Sequence, residues 1–171
     1  MKPNTTPYQR AVTLAVATLG CLLMSGPPRA ADAGDIEDGQ RLFLTKGGCQ
    51  GCHGWAGDGR KTDNQQPDGA NLRETLLDRD IIILTIQCGR PGRSMPAFDR
   101  LAYSDGRCYG MKQADLKNNP LPDPPATLQI REIERIVDFL YAKVIKQGPV
   151  TREKCIAFWG ADVPTCNDVQ K

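Results

Sequence analysis

Residues Ile130, Ile133, Ile136, Val137, Leu140, Tyr141 and Val144 recur every three or four positions. That spacing predicts an amphipathic helix with one apolar stripe, ending near Gly148-Pro149. A second apolar run, Ile81, Ile82, Ile83, Leu84 and Ile86, is nearly continuous, as expected of a short helix buried on several sides. Its β-branched crowding leaves a strand open as the alternative. Thr151 is placed to cap a further short helix carrying Cys155, Phe158 and Trp159 on one face. Between these segments the chain is rich in turns. Residues 65–69 and 118–125 hold turn formers, the latter with four prolines among eight residues. No other segment alternates like a strand, so the expected fold is mostly α.

The N-terminus has a different pattern. Lys2 and Arg10 precede an apolar or small-residue run over 11–24, Gly26-Pro27-Pro28 break it, and Ala31-Asp32-Ala33 follows. A charged start, a short apolar stretch and an A-x-A site predict a secretory signal over 1–33, cleaved after Ala33. The competing readings are weaker. About fourteen residues interrupted by Gly20 are short for a membrane anchor, and before Cys21 the position three upstream is Thr18 rather than the usual leucine of a lipoprotein site. With the signal removed, no stable membrane span is expected.

Of 171 residues, 40% are apolar and 25% charged, which fits one soluble domain with little room for a second. The net charge of +2 gives no reason to expect a nucleic-acid surface. Cleavage would remove Lys2, Arg10, Arg29 and Asp32 and leave nineteen basic and nineteen acidic residues. It would also remove Cys21, leaving Cys49, Cys52, Cys88, Cys108, Cys155 and Cys166. An exported chain with an even number of cysteines implies an oxidising compartment, and a periplasm fits best.

His53 is the one histidine, and it closes the run Cys49-Gln50-Gly51-Cys52-His53. C-x-x-C-H is the attachment signature of a c-type haem. Two thiols three positions apart on a helical turn each reach one vinyl group of a porphyrin, and the next residue aims its imidazole at the iron. A zinc knuckle needs two further ligands at compact spacing, and a redox dithiol expects a preceding strand. Neither is present in the sequence. With histidine used, the sixth iron ligand falls to Met95 or Met111. Met95 is favoured because Pro91 and Pro96 stiffen its loop. His/Met ligation leaves iron no open position and suits one-electron transfer.

Over residues 35–147 the chain resembles the class I, mitochondrial-type bacterial cytochromes c. Gly39-Gln40-Arg41-Leu42-Phe43 resembles the family's first helix, Cys49, Cys52 and His53 its haem-binding segment, and Met95-Pro96 its ligand loop. Residues 80–88 resemble the helix before that loop, and 130–141 the C-terminal helix with Phe139-Leu140 as its aromatic–leucine pair. Gly69-Ala70-Asn71-Leu72 stands where the family has Gly-Pro-x-Leu and implies a carbonyl for the far imidazole N–H. The resemblance implies a cytochrome c fold of three to five helices around one covalently bound haem c. Its cofactor-binding residues are Cys49, Cys52, His53, Met95, Ala70 and Leu72, and its metal ligands His53 and Met95.

Beyond a minimal cytochrome domain (34–148), the sequence carries a long insert at 99–126 and an extension at 149–171. Four cysteines lie outside the motif and allow three connectivities. Cys88 with Cys108 and Cys155 with Cys166 are preferred because both loops are local. Between Arg90 and Lys117, six basic residues face Asp99, Asp105 and Asp115. One or two of them would neutralise haem propionates, or the group would form a docking face for an acidic redox partner.

The function expected first is a periplasmic single-electron carrier rather than an enzyme. It would accept electrons from a periplasmic dehydrogenase and pass them to an oxidase or another cytochrome. The alternative is a haem subunit held permanently in an oxidoreductase complex, with Phe158 and Trp159 as a subunit contact. A ligand-binding haem enzyme or sensor would need a distal base that the sequence lacks.

Overall fold

The structure is a computed structural model and describes residues 31–61, 65–167 and 169. Residues 1–30 of the expected export segment therefore lie outside the described residues. Among the described residues five α-helices follow one another: α1 Ala33–Leu44, α2 Gln50–His53, α3 Arg79–Cys88, α4 Ile130–Lys143 and α5 Arg152–Trp159. Three 3-10 turns lie at Leu72–Glu74, Gln113–Leu116 and Pro164–Asn167. Among the described residues there are no strands, so the chain is mostly α, and the isoleucine-rich run is helical.

Local chemistry explains where the helices begin. Asp78 caps α3 by accepting from the Ile81 N–H at 2.9 Å, and Thr151 caps α5 by accepting from Lys154. At α4 the Glu132 carboxylate reaches back to the Gln129 N–H at 2.8 Å, the reciprocal arrangement of a capping box. Glu132 also bonds Lys46 at 2.7 Å, which ties α4 to the end of α1.

The frame is the crossing of α1 on α4. A Cβ on Gly39 would stand 1.9 Å from the Arg135 carbonyl oxygen and 2.9 Å from the Phe139 Cβ, so only glycine fits there. Phe43 and Phe139 meet beside the crossing with ring centroids 5.6 Å apart, and Arg135 bonds Asp35 and Asp38 at 3.0 Å. Leu42, Phe43, Ile82, Ile86, Phe98, Ile133, Ile136, Phe139 and Leu140 belong to one buried cluster. A second, smaller cluster gathers Cys88, Ala102, Tyr103, Cys108 and Leu116 beneath the insert.

Two expectations need correction. The α4 helix stops at Lys143 rather than near Gly148, because its next residues are drawn into the core. Val144 and Ile145 are buried at 2% and 5% exposure, and both N–H groups turn to the Leu140 carbonyl. Lys146 then takes a left-handed φ of 57° and donates to the Arg73 carbonyl. The apolar runs are also less buried than their pattern implied. Ile81 and Ile130 are 42% and 46% exposed, so α3 and α4 each turn one isoleucine outward.

Disulfides join Cys88 to Cys108 and Cys155 to Cys166. The second bridge links α5 to the closing 3-10 turn, and α5 lays Phe158 against Trp55 (4.9 Å) and Phe139 (6.4 Å). The described residues from Ala31 onward form one compact unit, so the extension is not a separate body. Closing a loop of this length contributes roughly 3 kcal/mol in the chain-entropy picture. Replacing Cys155 and Cys166 together by serine is expected to lower unfolding stability by roughly 2–3 kcal/mol. An unfolding midpoint equal to that of the unaltered chain would show that α5 docking is independent of the bridge.

Candidate functional site

The turn after α1 delivers the motif. Gly47 donates to the Leu42 carbonyl and Cys49 to that of Phe43, which folds the chain back so that α2 starts at once. In this single helical turn Cys49 and Cys52 stand three positions apart, and the His53 N–H returns to the Cys49 carbonyl at 2.9 Å. Cys49 and Cys52 lie outside both disulfides.

The His53 ring is held from one side. Its Nδ1 lies 2.8 Å from the Ala70 carbonyl oxygen. A carbonyl cannot donate, so Nδ1 carries the proton and the neutral ring keeps its lone pair on Nε2. The Gly69 N–H donates to the Cys52 carbonyl at 2.9 Å. A Cβ on Gly69 would meet that carbonyl at 2.7 Å and Nδ1 at 2.8 Å, so the segment is laid directly on the motif. Burial pushes the imidazole pKa down, the Ala70 carbonyl opposes this, and the nearby Arg90 charge pushes it down further. The expected carbonyl partner is thus in place, supplied by Ala70.

Burial pushes the Cys49 thiol up to about 12, with a smaller upward push from Cys52. A redox-active dithiol needs the opposite shift, toward thiolate at neutral pH. Among the described residues, no three His, Cys, Asp or Glu side chains are grouped as a metal site.

The two methionines separate cleanly. Cys49, Leu72 and Met95 all pack against the large cluster of α1, α3 and α4 side chains. Met111 packs instead against the small cluster under the insert. The Met95 loop is closed by the Arg90 N–H donating to the Met95 carbonyl at 3.0 Å. Arg90 therefore stands at the root of this loop. Comparison with protein-family models, curated proteins and solved structures returned no match.

Sequence reasoning missed several residues that shape this region. Tyr103 and Tyr109 of the insert donate to the Cys88 and Gly89 carbonyls. Only the adjacency of Tyr109 to Cys108 hinted at this. Arg73, buried beside Leu72, donates to the Gly148 and Ala56 carbonyls and ties the 3-10 turn to the chain after α4. No pattern in the sequence marks it. In the insert, Arg107 bonds Asp99 and Asp105, and its hydrogen bond holds the Asp105 carboxyl down at about 2. Arg90, Arg93, Arg100, Lys112 and Lys117 are exposed. No carboxylate of the described residues lies within ion-pair distance of any of them.

Proposed function

We propose that the chain is a periplasmic mono-haem c-type cytochrome with a cytochrome c fold, moving single electrons between redox proteins. The observation that carries this reading is the shared placement of Cys49, Leu72 and Met95 on one apolar cluster, beside a His53 whose Nδ1–H is occupied by Ala70. The donor set suits the group. Two uncharged thiols three positions apart would hold it covalently. A neutral imidazole and a thioether would ligate iron from His53 and Met95. When bound, such a haem supplies a one-electron iron couple.

The chain's own residues do the remaining work. The Ala70 carbonyl fixes the ring orientation of His53 and raises its basicity. Leu72 and the α1, α3 and α4 side chains supply a dry wall on which Cys49 and Met95 rest. Titrating the oxidised, purified protein with reductant tests the assignment. The expected uptake is one electron per chain, fully reversible. Uptake of two electrons with Cys49 and Cys52 becoming alkylatable would favour a dithiol and overturn it.

The carrier reading is preferred to a permanent subunit because, of the expected contact pair, Phe158 is turned inward onto Trp55 and Phe139 and only Trp159 is exposed. The exposed, unpaired cations at 90–117 then read as a docking face for an acidic partner, a dehydrogenase as donor or an oxidase or second cytochrome as acceptor. Charge of this kind raises association rate more than affinity. Electron transfer with such a partner is expected to slow on the order of tenfold between low and physiological ionic strength. A flat rate would remove this face from the account.

A further inference from the structure

The end of α3 is where the Met95 loop begins, and its carbonyls are completed in an unusual way. The last four carbonyls of a helix have no partner within it. Here the Ile86 carbonyl accepts from the Phe98 N–H at 3.1 Å and that of Gln87 from the Asp99 N–H at 3.0 Å. Cys88 accepts from the Tyr103 hydroxyl at 2.7 Å, and Gly89 from the Tyr109 hydroxyl at 2.9 Å. The last three carbonyls of α3 and that of its cap, Gly89, are thus satisfied by donors that follow the methionine.

Gly89 is the hinge. It takes a left-handed φ of 63°, and a Cβ there would stand 2.6–2.7 Å from the backbone of residues 95–97. The two ends of the Met95 loop therefore touch at this point. Tyr109 reaches it from a strained backbone, with φ at 56° and 45% of the residue exposed. A bulky side chain seldom adopts that conformation unless its surroundings hold it there. The neighbouring Cys108–Cys88 bridge fixes Tyr109 over Gly89, and the Met111 N–H to Cys108 carbonyl bond closes the turn.

We infer that Tyr109, with Tyr103 behind it, is a positioning residue for the Met95 thioether: the insert pins the hinge from which the methionine loop hangs. The insert then has a task besides docking, since it governs how readily the thioether leaves its place. The inference rests on the haem reading above.

The test uses the full haem-loaded protein, with imidazole as a competing ligand and the sulfur-to-iron charge-transfer band as the signature of Met95. Tyr109→Phe is expected to keep haem content unchanged, weaken the band and tighten imidazole binding roughly three- to tenfold, the value of one lost hydrogen bond. Tyr141→Phe is the matched control. Its hydroxyl also donates to a carbonyl, that of Leu77, from an exposed side chain, but away from the loop. Tyr141→Phe is expected to behave as the unaltered protein, and adding Tyr103→Phe to Tyr109→Phe to deepen the effect. Imidazole affinity and band unchanged in Tyr109→Phe, or an equal change in Tyr141→Phe, would overturn the inference alone. An unaltered protein without haem or without the band would overturn the haem reading itself. Tyr109 is exposed, so its single variant decides the matter even if the buried Tyr103 variant fails to fold.

Discussion

Replacing Met95 with alanine is expected to leave haem covalently attached to the chain while abolishing the sulfur-to-iron band. On the proposed reading attachment would depend on Cys49 and Cys52, while His53 is oriented by the Ala70 carbonyl, so neither is touched by the change. If Met95 is the sixth ligand as proposed, loss of its thioether would open iron to added imidazole or cyanide. It also lowers the reduction potential, on the order of 100 mV or more within the ~0.8 V that axial ligands span. Stability falls as well, by about 2 kcal/mol, since a half-buried methionine leaves the large cluster. Met111→Ala provides the contrast. Met111 packs under the insert on the other cluster, so its removal is expected to cost stability and leave the spectrum intact. If Met95→Ala kept the band and Met111→Ala lost it, the ligand assignment would be reversed.

The second large effect concerns folding. Gly39→Ala adds a methyl group that would stand 1.9 Å from the Arg135 carbonyl oxygen. In an ordinary helix interior the same change gains up to about 1 kcal/mol from reduced backbone freedom in the unfolded chain. Here backbone faces backbone across α1 and α4, so the helices must separate. Separation loosens the Phe43–Phe139 contact and the Arg135 bonds to Asp35 and Asp38. The steric cost wins, and the net loss is expected to be about 3 kcal/mol. Denaturant unfolding measures it. A midpoint at or above that of the unaltered chain would show that the two helices do not cross at Gly39.

The elements legible in the sequence are those specified by local pattern. The stripe from Ile133 to Leu140 needs only the helical period, and Thr151 needs only the chemistry of a cap. The disulfides were readable from short separations once the motif had claimed the other two cysteines. What escaped depends on distant partners. The early end of α4 is set by Val144 and Ile145 entering the core and by Lys146 donating to Arg73, some seventy residues upstream. The exposure of Ile81 and Ile130 is decided by which side of each helix meets a neighbour, and composition does not encode that. At the candidate site Cys49, Cys52 and His53 were legible because they form one short motif, and the Ala70 carbonyl because Gly69-Ala70-Asn71-Leu72 marked its segment. The tyrosine caps on α3 were not. A tyrosine fifteen or twenty residues away satisfies a carbonyl only through a tertiary fold, with no periodicity to announce it.

The most direct measurement is acid–acetone extraction of the mature protein purified from the cell envelope, followed by a denaturing gel stained for haem. The account predicts coloured protein whose pigment stays with the chain through extraction and runs with it on the gel. Colourless protein, or pigment that passes into the acetone, would contradict it.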